Sequence, residues 1–200
     1  MGRRASSTTD DAGHTDSTER PELDDGGSSK PTGPTGPSGP AGGDAGGTSD
    51  ASNTWSHVTL DFDELASSID VSTTYSSVTF SSPTGVVKTE SFSGLYGGSS
   101  PNYIYAGPDR EGDFALAFPR PARAVRFSAI AVNDTGAVAN IKIYEAGVLV
   151  ETQSLQGKGD QNTPVVVDLG THTNISRIEI TGDTDYLGFG LDDLSFDLRD

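Results

Sequence analysis

From Trp55 onward the chain alternates apolar and polar positions with a period of two. Val58, Leu60 and Phe62 share one face of a first strand, and Val78 and Phe80 mark a second. Val86 to Phe92 reads as a third, with Lys88 and Glu90 on an exposed side. Phe114, Leu116 and Phe118 form another strand, expected to stop at Pro119 and Pro121 because proline offers no N–H to a ladder. Ala124 to Asn133 is apolar on both faces and reads as a central strand. Ile141 and Ile143 lead through Glu145-Ala146-Gly147 into Val148-Leu149-Val150, the spacing of a hairpin. Val165, Val167 and Leu169, then Ile178 and Ile180, continue the pattern. No stretch carries a 3.6-residue period, and a turn at Asp63-Glu64-Leu65-Ala66 is the one helical candidate. About nine or ten short strands with frequent turn signals predict an all-β antiparallel β-sandwich, a jelly roll by strand number, with a lone immunoglobulin-like sandwich as the alternative.

The closing strand, GFGLDDLSFDL, breaks its own rhythm. Phe189 and Leu191 alternate, Leu194, Phe196 and Leu198 alternate, and the two sets are one residue out of phase. The slip falls on Asp192-Asp193 and predicts a β-bulge, where two neighbouring side chains point in similar directions. Two carboxylates held together repel unless something positive lies between them, and a hard cation with oxygen ligands or an arginine would serve. A second acid cluster, Asp61-Phe62-Asp63-Glu64, ends the first strand. First and last strands of a sandwich are often neighbours, so Asp63, Glu64, Asp192 and Asp193 are candidate ligands for a structural Ca2+ that would tie the two strands together. The alternative is two solvated acid pairs on an acidic surface.

Composition divides the chain. Hydrophobic residues make up 32%, low for a globular protein, but residues 1–54 hold almost none of them and are Ser, Thr, Gly, Asp and Pro throughout. That segment is expected to be a disordered acidic tail or linker, since it cannot bury enough apolar surface to offset its ordering entropy. Its Gly33–Gly43 run has too few Gly-x-y triplets for a collagen helix. Residues 55–200 are long enough for one core. The net charge of -16 belongs to both parts, with nine acids against four bases in the tail and twenty against nine in the rest. Such a balance argues against nucleic acid and anionic membrane surfaces as partners. With four lysines and no cysteine, the composition resembles that of halophilic proteins and excludes disulfides and thiolate chemistry. No apolar run is long enough for a membrane span. The start, MGRRASSTTDD, has a twin arginine without an apolar segment behind it and does not read as a leader.

The order of several short motifs carries a resemblance. VTLDFDEL, Tyr75-x-x-Val78-x-Phe80, Ser100-Pro101-Asn102 and Leu191-Asp192-Asp193-Leu194-x-Phe196 are similar to motifs of extracellular prokaryotic jelly-roll domains. These are the galactose-binding-like and carbohydrate-binding modules, also seen in anchored surface proteins. The resemblance spans Val58 to Phe196. It implies a non-catalytic extracellular or cell-surface binding module for a polysaccharide or glycoconjugate. It also implies a structural Ca2+ held by an acid of the first strand, Asp63 or Glu64, and by Asp192 of the last.

Sugar binding needs aromatic faces for stacking and polar groups to orient hydroxyls. Tyr96, Tyr103 and Tyr186 lie in loop-like contexts, and with Asn102 they are the candidate ligand-binding residues. Each could equally be a rim or core aromatic with a satisfied hydroxyl. His57 falls on the polar face of the first strand, His172 in a loop and His14 in the tail, and no nucleophile elbow, HExxH or phosphate loop is present. No enzyme is expected. The rival readings are a structural or adhesive surface domain without a small ligand and, behind it, a glycan-active enzyme.

Overall fold

The structure, a computed structural model, describes residues 54–83, 85–91, 102–107, 113–185 and 188–200. Ten strands follow in chain order: β1 (Trp55–Leu60), β2 (Thr79–Ser81), β3 (Val87–Ser91), β4 (Asn102–Ala106), β5 (Phe114–Ile130), β6 (Thr135–Glu145), β7 (Val148–Lys158), β8 (Val165–Asp168), β9 (Ile175–Thr181) and β10 (Gly190–Arg199). Every pairing is antiparallel, and among the described residues there is no helix. None is therefore long and apolar enough to cross a membrane.

The strands form one continuous hydrogen-bonded sheet folded back on itself, and β5 makes the fold. Its first part, Phe114–Ala117, lies between β2 and β9, and β9 continues through β6 to β7. Its second part, Ala122–Ile130, lies beside β10 and β8. The far edge of β10 is taken by β1 along Leu194–Arg199 and by β4 at Leu191, with β3 outside β4. The result is a β-sandwich with β5 in both layers.

Pro119 and Pro121 do not stop β5, contrary to the sequence expectation. They sit between Ala117, paired with Arg177, and Ala122, paired with Ile175, where the register shifts and no ladder N–H is required. The chain crosses between layers there, and Ala124 at φ 50° follows.

The two layers close on a shared core. Phe118 packs on Phe196 at 5.0 Å between ring centroids and Phe114 on Phe189 at 6.1 Å. Phe62 is fully buried but lies beyond β1, which ends at Leu60. A turn with φ 60° at Phe62, closed by Leu65 N–H donating to the Phe62 carbonyl at 3.2 Å, folds the ring inward against Tyr75 and Phe80. The hairpin between β6 and β7 is as the spacing predicts. Ala146 and Gly147 both have positive φ, 48° and 82°, matching the strand twist as a type I′ turn does.

Candidate ligand-binding face

The phase slip in β10 is a bulge. Asp192 lies opposite Ser128 and Ser195 opposite Arg126, so three steps along β10 match two along β5. Asp193 takes the extra position at φ 50°. Leu191 and Leu194 both point into the core, so neither intervening carboxylate enters it. Asp192 is nevertheless fully buried, its Oδ1 accepting from the Asp193 N–H at 2.8 Å, whereas Asp193 is exposed.

The register fixes what surrounds the bulge. Leu60, the last paired residue of β1, lies opposite Leu194, and Ile104 of β4 lies opposite Leu191. The edge of β10 thus passes from β1 to β4 at the acid pair, and the turn after Leu60 is tied to β4 at the same junction. The Asn102 N–H donates to Asp63 Oδ1 at 3.0 Å, and its side-chain amide donates to the Leu65 carbonyl at 2.7 Å. The two acid clusters share a neighbourhood, but the four carboxylates have different occupations. Glu64 accepts from the Tyr75 hydroxyl at 2.6 Å, and Asp193 from Ser128 Oγ at 3.4 Å. Burial, then the Glu64 bond, pushes the Tyr75 phenol well above its ordinary pKa. Among the described residues, no three or more His, Asp or Glu side chains are gathered as a cation would require. A four-carboxylate cage therefore does not fit. Asp63 Oδ1 and Asp192 Oδ1 each accept a backbone N–H, from Asn102 and Asp193.

The tyrosine set fares differently. Tyr103 is 3% exposed, its hydroxyl donates to Glu90 at 2.9 Å, and its ring lies where a Cβ on Gly190 would come within 2.2 Å. Asn102 is likewise buried and ties the Phe62–Leu65 turn to β4. Tyr96 and Tyr186 lie outside the described residues.

What the register does assemble is a polar face on the outside of the β1–β10–β5–β8 layer. Phe196 and Leu198 point inward, as do Val125 and Phe127, so Ser195, Asp197 and Arg126 point outward. His57 pairs with Asp197, Thr59 with Ser195, and Ser195 with Arg126. An open cleft of about 520 Å³ runs between His57, Thr59, Arg126, Ser128, Asp193 and Ser195. At one end His57 Nδ1 lies 2.9 Å from Asp197 Oδ1, and Arg123 Nε donates to the other oxygen at 3.2 Å. The His57 hydrogen bond, reinforced by Arg123 and opposed by partial burial, holds the Asp197 carboxyl below its ordinary pKa. Arg123 stacks on Trp55, its Cζ 4.3 Å from the ring centroid. Arg126 is exposed, and no hydrogen bond or ion pair among the described residues engages it.

His57 is legible in the sequence as a polar-side residue of β1, whereas the place of Arg126, Ser128 and Ser195 on this face is not. A partial signal is present: Arg120, Arg123 and Arg126 recur every third residue in a chain with few bases. Only the register shows that Arg126 meets Ser195 across two strands.

No family model and no curated protein matches the chain. Among solved structures, a family 35 carbohydrate binding module from Clostridium thermocellum is similar at 14% identity and a TM-score of 0.39, covering 70% of this chain and 97% of that one. CBM35 from Paenibacillus barcinonensis is similar at 15% identity and 0.32, covering 66% and 98%. An isomalto-dextranase of Arthrobacter globiformis T6, complexed with panose, is similar at 14% identity and 0.35, covering 72% of this chain and 33% of that one. At these values the likeness is loose and carries no functional argument.

Proposed function

We propose that the protein is a non-catalytic carbohydrate-binding module whose ligand is a polysaccharide or glycoconjugate met outside the cell. The observation that carries this reading is the open cleft around Arg126 on the outer face of β1, β10 and β5. A sugar ring presents adjacent hydroxyls, each both donor and acceptor. Arg126 supplies donors only, Asp193 acceptors only, and Thr59, Ser128 and Ser195 either. Such a mixture on a firmly paired strand face suits hydroxyl recognition. Nucleic acid would require a density of cations that this face lacks.

The reading includes a structural Ca2+ at the β1–β4–β10 junction, with Asp63 and Asp192 among its oxygens and backbone carbonyls completing the set. The rival, an adhesive surface domain, is favoured by one feature: Val148, Leu149 and Val150 are exposed at the start of the edge strand β7. A glycan array separates the two. Retention of the wild-type protein on defined glycans, reduced in Arg126→Ala, supports the module, and a blank array removes it.

A further inference from the structure

The opposite layer carries a second cleft. Its outer face is built on β2, the first part of β5, β9 and β6. Ala115 pairs with Ser81 on one side and Glu179 on the other, and Ala117 pairs with Thr79 and Arg177. Small residues on β5 between longer ones on β9 and hydroxyls on β2 leave a trough. It measures about 440 Å³, and its lining includes Ser81, Ser82, Asp113, Ala115, Arg177 and Glu179.

The wall on β9 is rigid. Glu179 accepts from the Tyr144 hydroxyl at 2.7 Å on one oxygen and from Arg177 Nη2 at 2.8 Å on the other. Arg177 also stacks over the Tyr144 ring, 5.9 Å from its centroid. The bond to Glu179 holds the Tyr144 phenol above its ordinary pKa, so it remains a donor. Lys142 pairs with Glu179 from the other side in register. The opposite wall is stitched by Asp113, whose carboxylate accepts from the Gly182 N–H at 2.7 Å and whose carbonyl accepts from Ser82 Oγ at 2.8 Å. A guanidinium fixed beside a carboxylate, with one N–H engaged and the others available, is pre-organised for adjacent hydroxyls, so little side-chain entropy is lost on binding.

We infer that this trough is a second glycan site, taking a neutral glycosyl unit through adjacent hydroxyls with Arg177 as donor and Glu179 as acceptor. The inference rests on the carbohydrate-binding reading and extends it: one module with sites on opposite outer faces can join two glycan chains. Tyr144 acts as a positioning residue for Glu179.

The test is a titration of 15N-labelled protein with a panel of neutral gluco-, xylo- and manno-hexasaccharides, for wild type, Arg126→Ala, Arg177→Ala and the double variant. Both arginines sit on exposed outer positions, and the amide spectrum itself reports whether each variant is folded. The expected result is two sets of shifting amides, one near Ser195 and one near Gly182. Each single variant should weaken its own set by at least tenfold, and the double variant should lose both. Tyr144→Phe should weaken the Gly182 set alone. Wild type should also raise the light scattering of a soluble polysaccharide that it binds, and either single variant should not. Shifts confined to the Ser195 set and indifferent to Arg177→Ala would overturn this site while leaving the module reading intact. Absence of shifts with every sugar would overturn both.

Discussion

Arg126 and Ser195 stand opposite each other across β5 and β10, one position beyond the bulge that turns Asp193 outward. The pairing puts an unengaged guanidinium, a hydroxyl and a carboxylate on one cleft. Arg126 is exposed and holds nothing together, so Arg126→Ala is expected to leave the melting temperature unchanged. Losing a charged hydrogen bond of about 1.5–3 kcal/mol should weaken glycan binding at that cleft by roughly tenfold or more. Calorimetric titration beside a thermal melt reads both quantities.

Asp193 has two separable duties. Its carboxylate belongs to the cleft, and its backbone holds the left-handed conformation of the bulge. Asp193→Gly and Asp193→Val should weaken binding alike. Glycine accepts φ 50° freely, whereas a β-branched residue there is strained, so only the valine variant should lose stability, by about 1–2 kcal/mol. Equal stability of the two variants would mean that the bulge relaxes on substitution.

Phe196 joins the layers through Phe118 at 5.0 Å and is fully buried. Phe196→Ala should destabilise by about 3–5 kcal/mol through lost transfer energy and the cavity left behind. Chemical denaturation at neutral pH measures it.

Acid sensitivity has a defined sign. The folded Asp197 carboxyl titrates below its ordinary value of 3.8, so the unfolded chain takes up that proton first. Its contribution is therefore present above the ordinary value and lost as pH falls through the lower folded value. Asp197→Asn should be less stable than wild type at neutral pH, and the gap should close on acidification below the ordinary value. A gap that stays constant down the acid limb would contradict the assignment to His57 and Arg123.

A bound Ca2+ at the β1–β4–β10 junction would stabilise the fold by mass action. Adding Ca2+ at fixed ionic strength should raise the melting temperature, chelator should lower it, and Asp63→Asn should remove the difference. Identical melts with Ca2+ and with chelator would dismiss the ion.

Most of the strands, the β6–β7 turn and the bulge at Asp192-Asp193 were legible in the sequence because each rests on local alternation and turn chemistry, whereas β4, at Asn102–Ala106, was not, since Asn102 and Tyr103 read as loop. The run through Pro119 and Pro121 was not, since proline ends a strand only where its partner requires an N–H, and that depends on β9. Tyr103 stood between a ligand-binding loop residue and a core aromatic, and its burial against Gly190 is a tertiary fact that local pattern does not carry. The two clefts were illegible for a related reason. Their side chains come from strands distant in sequence and meet only through register, as Arg126 does with Thr59 and Ser195.

Affinity electrophoresis through gels containing single neutral polysaccharides, comparing wild type with Arg126→Ala, tests the central claim most directly. The account predicts that at least one polysaccharide retards the wild type and that Arg126→Ala is retarded less in the same gel. Equal retardation of the two proteins, or free migration of the wild type in every gel, would contradict it.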